Sequence, residues 1–297
     1  MKKINILITG AASGVGQSII RSLVNSKIKK KLNLIISDIS DLNPYPIYKL
    51  KYLQIPKVEQ KNSKNILNKI IIKNKINIIF LGSEYEISFF SKNKKFFEKI
   101  KNLKLCVADL KTIRLSNDKY KTYEFLKKNN FPYPKTIKIN KSSNLKNIIK
   151  KIKMPFILKN RFGTSSRNVF EINNINAFKT HIKSIKYPLI QEKLISFSNH
   201  HFKNKEEFTC SFFTLKNKKT LGPFIARRIL KFGTSWAVDV NTSDKKIKKL
   251  IIDISKKINN IGSFNIQLIN TKKGPIPFEF NPPFMNLSKE TPAKPRI

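Results

Sequence analysis

The N-terminal part of the chain alternates apolar strands with helical segments, in the order that builds a doubly wound α/β sheet. Residues 4–8, "INILI", are uniformly apolar, as a strand covered on both faces must be. A glycine-rich turn and a helical period follow, and a second apolar strand ends at Asp38. Apolar runs at 76–82 and 103–108 continue the alternation. The sequence therefore predicts a parallel sheet with helices on both faces over residues 1–112.

The glycine-rich turn, "TGAASGVG", favours a dinucleotide enzyme when it is taken alone. Gly10, Gly14 and Gly16 leave room for a pyrophosphate at a helix N-terminus, and Asp38 stands where an acid would bind a ribose. An NAD(P)-dependent short-chain reductase or epimerase is thus one hypothesis. Such an enzyme also needs a Tyr-x-x-x-Lys pair. Two pairs have this spacing, but a chain with eight Tyr and so many Lys provides about one or two by chance.

The C-terminal segment "GSFNIQLINTKKGPIPFEFNPP" predicts two strands joined by a hairpin. Glu279 and Asn281 are two residues apart, so they project from one face of a strand, while Phe278 and Phe280 point to the other face. The hairpin brings Gln267 opposite Glu279. One carboxylate and two amide oxygens suit Mg²⁺ and leave positions for phosphate oxygens. The alternative is the solvated polar edge of an ordinary hairpin.

The strongly basic composition raises the question of a nucleic-acid or membrane partner. The net charge is +42 and the pI is near 10.2. The excess is almost all Lys, it is spread along the chain, and it accompanies abundant Ile and Asn, which indicates a compositional bias and a solvated surface. Phe residues lie in apolar runs, and no nucleic-acid motif accompanies them. We therefore expect no nucleic acid and no membrane as partner. The alternative, a basic nucleic-acid-binding module, is the third hypothesis.

The two cysteines and the lack of long apolar stretches indicate the compartment. Cys106 and Cys210 lie far apart inside apolar runs, which is typical of buried thiols in a reducing compartment. The apolar stretch near the start is too short for a signal peptide, and nothing downstream approaches a membrane-spanning length. We expect a cytoplasmic protein.

Five motifs occur in a fixed order along the second part of the chain. They are "NDKYKTYEFLKKNNFPYPKT", "MPFILKNRFGTSSRNVF", "LIQEKL", "EEFTCSFF", and the pair "GSFNIQ" and "FEFNPP". In this order they resemble the ATP-grasp superfamily, in particular proteins similar to the large subunit of carbamoyl-phosphate synthase. The resemblance covers essentially the whole chain. It also changes the meaning of the glycine-rich turn, because family members carry a doubly wound domain whose turn need not bind a dinucleotide.

The resemblance implies a set of nucleotide and metal contacts. The ATP-binding residues would be Lys119, Lys159, the flexible loop Gly163, Thr164, Ser165 and Ser166, the adenine hinge Glu192, Lys193 and Leu194, and the ribose or phosphate-side contact Glu207. The resemblance gives Gln267, Glu279 and Asn281 the metal role already argued from their spacing, with Mg²⁺ as the ion and Mn²⁺ as the alternative.

Two arginines are the candidate catalytic residues. Arg227 and Arg228 follow the strand "LGPFIA" and resemble a basic pair that faces the transferred phosphoryl group and the acceptor. One departure bears on activity. The family's metal strand reads Glu-x-Asn-Pro-Arg, and here Pro283 replaces the Arg. Since loss of such a cation costs several kcal/mol, either Arg227 or Arg228 compensates or the chain is a weak or inactive member.

The resemblance also implies the domain organisation and the reaction. A doubly wound pre-ATP-grasp domain over 1–112 would be followed by an ATP-grasp fold, with a small lid domain over 113–190 and an α+β C-terminal domain over 191–297. Mg–ATP would lie between the last two. The implied activity is an ADP-forming ligase that joins small-molecule carboxylate and amine substrates through an acyl phosphate. Glu84 and Glu86, after the third strand, are candidates for the acceptor side. The identity of the substrates and a homodimer are left open.

Overall fold

The computed structural model describes residues 3–41, 45–140, 142–163, 168–197, 207–215, 217–231, 234–240, 244–258 and 260–281. The chain divides into two compact units, Met1–Ile113 and Arg114–Pro282. The finer division into three domains stays a prediction. No helix among the described residues is long and apolar enough to span a membrane.

The first unit is built on a parallel sheet. Its strands are β1 (Ile4–Ile8), β2 (Leu32–Asp38), β3 (Lys51–Gln54), β4 (Ile78–Phe80) and β5 (Lys104–Cys106), in the order β3-β2-β1-β4-β5. Its helices are α1 (Gly14–Val24), α2 (Tyr45–Tyr48), α3 (Ser63–Lys73), α4 (Glu84–Lys92) and α5 (Lys94–Phe97), with a 3₁₀ turn at Lys29–Lys31. Helix α6 (Leu110–Asn117) leads along the chain into the second unit.

The apolar character of the central strands follows from burial on both faces. In β1, Leu7 belongs to one apolar cluster, and its neighbours Ile6 and Ile8 belong to another. A strand covered in this way has no polar face, so it reads as a continuous apolar run. The predicted doubly wound parallel sheet is confirmed. The sequence missed β3, because this strand at the sheet edge has no buried residue and therefore no apolar run.

The second unit contains two antiparallel sheets. The small sheet is formed by β6 (Thr136–Lys138), β7 (Phe156–Asn160), β8 (Val169–Ile172) and β9 (Pro188–Glu192), in the order β6-β9-β7-β8. The large sheet is formed by β10 (Glu207–Thr214), β11 (Thr220–Lys231), β12 (Thr234–Asp239), β13 (Gly262–Thr271) and β14 (Gly274–Asn281), in the order β12-β11-β10-β13-β14. The helices are α7 (Lys119–Lys128), α8 (Leu145–Lys151), α9 (Ile175–Ile182) and α10 (Lys245–Lys257).

One face of the large sheet packs against α10 to form one core of the second unit. Phe208, Cys210 and Phe212 alternate along β10 and are all buried there, as their spacing predicts. The helix presents Ile247 and Ile251, one turn apart, to the same core. Because side chains alternate along a strand, the residues between these apolar ones project from the opposite face of the sheet.

Candidate functional site

The glycine-rich turn of the first unit is filled by the protein's own groups. A side chain at Gly16 would place its Cβ 2.2 Å from the carbonyl oxygen of Gly10, so close backbone packing explains this glycine. The carboxylate of Asp38 accepts hydrogen bonds from the backbone amides of Ala12 and Ile39, each at 2.8 Å. These contacts account for the turn and for Asp38 without a dinucleotide.

The two acidic residues after the third predicted strand have different surroundings. Glu84 is exposed, whereas Glu86 is 5% exposed and accepts a hydrogen bond from the hydroxyl of Thr9. Burial raises the pKa of Glu86 to about 7. The hydrogen bond from Thr9 lowers this pKa, and the negative charge of Asp38 raises it further. Glu86 is therefore an internal carboxyl group of the first unit.

In the second unit, polar side chains cover the face of the large sheet opposite the α10 core. Gln267 of β13 pairs with Glu279 of β14 on one side and with Thr209 of β10 on the other. Two residues along, Asn265 pairs with Asn281 in the same way. The predicted hairpin, with Gln267 opposite Glu279, is confirmed. The three predicted metal ligands thus share one face of two adjacent strands.

A β-bulge changes one detail of this hairpin. Leu268 pairs with Pro277, which leaves Phe278 as the extra residue before Glu279. Phe280 packs in the core, but the ring of Phe278 lies 5.9 Å from Nζ of Lys159. The prediction that Phe278 and Phe280 share a face is wrong, because the bulge interrupts the alternation.

Hydrogen bonds between amide side chains orient Asn281. Nδ2 of Asn265 donates to the hydroxyls of Thr209 at 2.7 Å and Ser211 at 3.0 Å. Nδ2 of Asn281 in turn approaches Oδ1 of Asn265 at 3.4 Å, a long hydrogen bond. Its own Oδ1 is thereby directed away from Asn265. With the carboxylate of Glu279 alongside, the face offers oxygen ligands of the kind that Mg²⁺ prefers.

This oxygen set differs from the common metal centres of proteins. Within the described ranges, no group of three or more His, Cys, Asp or Glu residues could hold a metal ion. A single carboxylate flanked by amides fits a hard cation whose remaining ligands come from phosphate and water. The chemistry of the donors thus fits Mg²⁺ bound together with a nucleotide.

Lys119 connects the loop after β7 to strand β14. Its Nζ donates to the carbonyl oxygen of Gly163 at 2.5 Å and lies 3.7 Å from Oε1 of Glu279. Asp118 fixes this lysine at the start of α7, since it caps the helix and binds Arg161 through both oxygens, at 2.7 and 2.6 Å. The regions that sequence analysis assigned to phosphate and to metal therefore meet at one ammonium group.

Part of the predicted set cannot be placed. Thr164, Ser165 and Ser166 of the loop, and Pro283 after the metal strand, lie outside the described residues.

Lys159 is a buried cation on the small sheet. It is 4% exposed, and its Nζ donates to Oε1 of Gln191 at 2.7 Å. Burial lowers the pKa of Lys159 to about 8. The carboxylate of Glu279 raises it, and the positive charge of Lys119 lowers it again. Lys119, Lys159 and Glu279 are therefore one electrostatic group.

The two arginines point to opposite faces of the large sheet. They lie inside β11 and not after it, so alternation separates them. Arg228 is paired with Glu207 on the polar face, with its Nη2 2.6 Å from Oε1 of the carboxylate. Arg227 lies on the core side, where its guanidinium is 5.5 Å from the centroid of the Phe208 ring and 3.7 Å from Asp239. The pair cannot face a single ligand, and only Arg228 joins the polar face.

Glu207 has a protein partner on the polar face. Burial raises its pKa, the adjacent Arg228 lowers it, and the negative charge of Glu279 raises it. The carboxylate that the sequence assigned to the nucleotide thus holds a guanidinium in this structure.

The predicted hinge begins at the last residue of strand β9. The carboxylate of Glu192 accepts a hydrogen bond from the backbone amide of Lys135 at 3.1 Å, and Nζ of Lys193 binds Glu171 at 2.7 Å. Leu194 is half-buried. Because the first two side chains have protein partners, contact with a base would come through backbone groups of the hinge.

Sequence reasoning missed two polar residues next to these lysines and ligands. Gln191 and Asn265 each sit inside an apolar strand, and each holds a predicted site residue. A polar residue in an otherwise apolar strand is the signal that could have found them, since a buried polar group needs a partner.

Comparison with known proteins identifies the family of the second unit. The ATP-grasp domain family matches residues 116–286, which is more than half of the chain. A search of curated proteins finds no match.

Several solved structures share the fold over nearly the whole chain. An N5-carboxyaminoimidazole synthetase from Staphylococcus aureus complexed with ADP is 18% identical, with a TM-score of 0.74 over 96% of this chain and 72% of that chain. An L-amino acid ligase from Bacillus licheniformis is 12% identical, with a TM-score of 0.69 over 97% and 68%. A biotin carboxylase from Campylobacter jejuni is 13% identical, with a TM-score of 0.75 over 96% and 66%. The chain belongs to the ATP-grasp family.

Proposed function

We propose that this protein is an ATP-dependent ligase that joins a carboxylate to an amine and forms ADP. The observation that carries the proposal is the position of Lys119, whose ammonium contacts both the carbonyl of Gly163 and the carboxylate of Glu279. A nucleotide bound there has its phosphates between a loop and a metal strand. Such a placement serves phosphoryl transfer, which depends mainly on positioning and charge neutralisation.

The cations of the second unit have separate tasks in this proposal. Lys119 and Lys159 neutralise the phosphates from the side of the small sheet, and Arg228 approaches from the large sheet. Glu207 keeps the Arg228 side chain extended along the sheet face, since it binds two of its nitrogens at 2.6 and 2.8 Å. A guanidinium held in this way can bind a carboxylate or an acyl phosphate. Arg227 packs on the other face and takes no part.

Glu279, Asn281 and Gln267 are the residues that would hold Mg²⁺, with Mn²⁺ as the alternative. The ion, when bound, neutralises phosphate charge and aligns the phosphate oxygens for transfer. The protein's own contribution is to present one carboxylate and two amide oxygens from a single rigid face. The main chain of Glu192, Lys193 and Leu194 would contact the base.

The proposed reaction has two steps. A carboxylate oxygen of the substrate attacks the γ-phosphorus of ATP and the bond to the β-phosphate oxygen breaks, which gives an acyl phosphate and ADP. The nitrogen of the amine then attacks the acyl carbon, inorganic phosphate leaves, and the amine loses a proton. The product is an amide, and no covalent bond to the protein forms. Exclusion of water protects the acyl phosphate between the steps.

The solved structures of similar fold support the nucleotide and the reaction class. One is a synthetase complexed with ADP, one is an L-amino acid ligase, and one is a biotin carboxylase in a beta-gamma-ATP complex. At identities of 12 to 18%, these structures support the fold and leave the acid and the amine to be identified.

Calorimetric titration with ADP, with and without Mg²⁺, tests the proposal, together with ADP release from ATP across a panel of carboxylates and amines. We expect ADP to bind and Mg²⁺ to tighten the binding. Lys159→Met should weaken ADP binding by roughly tenfold or more, because a charged hydrogen bond is lost. Lys179→Met is the matched control, since Lys179 is an exposed lysine on α9.

Two other outcomes would favour the alternative hypotheses. Binding of NADH that Asp38→Ala abolishes would favour the reductase instead. Binding of a DNA duplex whose affinity falls steeply with salt and does not change with Mg–ATP would favour the nucleic-acid-binding module.

A further inference from the structure

We propose that Gln191, oriented by Thr136, is a positioning residue that fixes the ammonium group of Lys159 and keeps it charged. The three side chains form a continuous chain of hydrogen bonds across the small sheet. Nζ of Lys159 donates to Oε1 of Gln191 at 2.7 Å, and Nε2 of Gln191 donates to Oγ1 of Thr136 at 3.1 Å. The hydroxyl of Thr136 donates to the carbonyl oxygen of Pro134 at 2.9 Å. The consequence for nucleotide rests on the proposed function, in which Lys159 contacts phosphate.

The register of the small sheet places these side chains together. Thr136 and Gln191 are direct partners across β6 and β9, so they share a face. On the other side of β9, Gln191 pairs with Ile157 of β7, two residues before Lys159. Residues two apart on a strand project from the same face, so Lys159 is the diagonal neighbour of Gln191.

The partners at both ends of this hydrogen-bond network, Lys159 and Thr136, force a single orientation of the Gln191 amide. Thr136 has one hydroxyl proton, and it is used on the carbonyl of Pro134, so its oxygen accepts from Nε2 of Gln191. If the amide were reversed, Nε2 would face the ammonium of Lys159, donor against donor. Oε1 therefore faces Lys159, and the orientation follows from the chemistry of the network.

The lysine needs this acceptor because its surroundings disfavour its charge. Thr136, Lys159 and Gln191 are each 5% exposed or less. The charged groups that face Lys159 are Glu279 from β14, which favours the ammonium, and Lys119 from α7, which opposes it. Gln191 contributes an oxygen without adding a charge that would repel phosphate. A carboxylate at this position would hold the lysine more strongly but would also repel the nucleotide.

The experiment measures the pKa of Lys159 in the protein without nucleotide. Lysine labelled with ¹³C at Cε gives a resonance for Lys159, which is assigned by its absence in Lys159→Arg, and this resonance is followed against pH. Gln191→Met keeps the length of the side chain and removes the acceptor. We expect the pKa of Lys159 to fall by about one from its value near 8, because one hydrogen bond to a charged group is lost.

Three further variants test the direction of the effect. Gln191→Glu should raise the pKa of Lys159 above its value in the unmodified protein, since a carboxylate favours the ammonium. It also keeps the proposal testable if Gln191→Met fails to fold. Thr136→Val removes the hydroxyl that orients the amide and should lower the pKa of Lys159 by less than Gln191→Met does. Thr136→Ser keeps the hydroxyl and should restore it.

Binding of ADP without metal, measured by calorimetry at several pH values, gives the second result. The ratio of affinities between the unmodified protein and Gln191→Met should be about fivefold larger at pH 8 than at pH 6. At pH 8 the substitution reduces the fraction of charged Lys159 about fivefold, whereas at pH 6 Lys159 is almost fully charged in both proteins. A purely structural effect of Gln191 would lower the affinity by the same factor at every pH.

The outcomes separate this inference from the proposed function. If the unmodified protein binds ADP and Gln191→Met leaves both the pKa of Lys159 and the affinity ratio unchanged, the inference is overturned and the ligase proposal stands. If ADP does not bind but the pKa of Lys159 falls in Gln191→Met and rises in Gln191→Glu, the positioning of Lys159 is supported and the ligase proposal fails. Equal pKa values in all the variants overturn the inference whatever the nucleotide does.

Discussion

Each unit of the protein contains a buried ionisable side chain with a shifted pKa, and the two differ in what surrounds them. Burial raises the pKa of Glu86 in the first unit to about 7. The charges that act on this carboxyl group, those of Asp38 and Glu59, are negative as well. Burial lowers the pKa of Lys159 in the second unit to about 8. However, Gln191 accepts a hydrogen bond from the ammonium group, and the opposite charge of Glu279 acts on it. A buried carboxyl among acids is stable when protonated, whereas a buried ammonium supported by an acceptor and an acid can stay charged.

The difference indicates which part of the molecule handles anions. In the first unit, backbone amides of the glycine-rich turn donate to the protein's own oxygens, Ala11 to the carbonyl of Ser37 and Ala12 to the carboxylate of Asp38, so the turn is closed by internal hydrogen bonds. In the second unit, Lys119 and Lys159 stand near each other despite their like charge. Like charges brought together without need would destabilise the fold, so such a pair is typical of a site for an anion.

The largest expected effect concerns Glu86, since burying its charge opposes folding of the first unit. The pKa is about 7 in the folded state and 4.5 in the reference state, so the folded state binds the proton more tightly. The stabilisation is therefore complete below about pH 4.5 and is lost as the pH rises to about 7, by about 3 kcal/mol. Glu86→Gln has no such proton and should lack this loss.

Hydrogen exchange of the β1 amides at several pH values measures the opening of the first unit in both proteins. Once the intrinsic exchange rates are taken into account, protection of β1 should fall from pH 5 to pH 8 in the unmodified protein and stay nearly constant in Glu86→Gln. If the two proteins lose protection in parallel, Glu86 is not the group that titrates.

Removal of the Glu279 carboxylate, which we propose holds Mg²⁺, should have the next largest effect. Glu279→Gln leaves the side chain in place and removes its charge, so Mg²⁺ should no longer tighten ADP binding. We expect a loss of roughly a hundredfold in Mg–ADP affinity, about 2.7 kcal/mol. Without metal, ADP should bind at least as well as before, because a negative charge near Lys119 has gone.

Calorimetry with Mg²⁺ and with a chelator separates these two effects. Glu98→Gln is the matched control, since this glutamate is exposed and lies in the first unit. A variant Glu279→Gln that still binds ADP more tightly in Mg²⁺ would remove the metal from this face.

The sequence predicted features that depend on neighbouring residues along the chain. The strands of the first unit were visible because burial on both faces makes them apolar, and the pairing of Gln267 with Glu279 was visible because a short hairpin fixes the register. Strand β3 was missed, because this edge strand has no buried residue and therefore no apolar run.

Features that depend on distant parts of the chain could not be predicted. The sequence predicts that Arg227 and Arg228 follow a strand, because two charged residues end an apolar run, but β11 continues through both. The contact of Gln191 with Lys159 joins residues 32 positions apart, and only the pairing of β9 with β7 brings them together. The bulge at Phe278 is likewise a property of the paired strands and not of one strand.

Asp118 tests how firmly the second unit holds its lysines. Asp118→Ala removes both the cap of α7 and the partner of Arg161, and we expect a loss of about 2 kcal/mol in the stability of α7. Asp244→Ala is the matched control: among the described residues Asp244 accepts only from backbone amides of α10, so its replacement should cost about 1 kcal/mol. Hydrogen exchange of the two helices measures both. Equal losses would show that the contact with Arg161 adds no stability.

The same carboxylate gives a pH dependence of the opposite kind from that of Glu86. Burial raises the pKa of Asp118, but hydrogen bonds from Arg161 and from the backbone outweigh it, so the pKa lies below the reference value of 3.8. The folded state therefore favours the charged form. Its stabilisation is present above about pH 4 and is lost as the pH falls through the folded pKa. Protection of α7 should decline in acid in the unmodified protein more than in Asp118→Ala.

The smallest effect concerns the amide contact behind the metal ligands. Asn265 accepts from Nδ2 of Asn281 through a long hydrogen bond of 3.4 Å, so it biases the orientation of that amide only modestly. Asn265→Leu should weaken Mg–ADP binding by about tenfold, the lower end of what loss of an outer partner costs.

A double-mutant cycle decides whether Asn265 acts through the orientation of Asn281. In Asn281→Asp the two side-chain oxygens are equivalent, so no orientation remains to be fixed. Asn265→Leu should then cost little in the Asn281→Asp background, although it costs about tenfold alone. Calorimetry with Mn²⁺ and ADP on the four proteins measures the coupling. Equal costs in both backgrounds would mean that Asn265 acts on the proposed metal site by packing, because the change in packing is the same in both while orientation matters in only one.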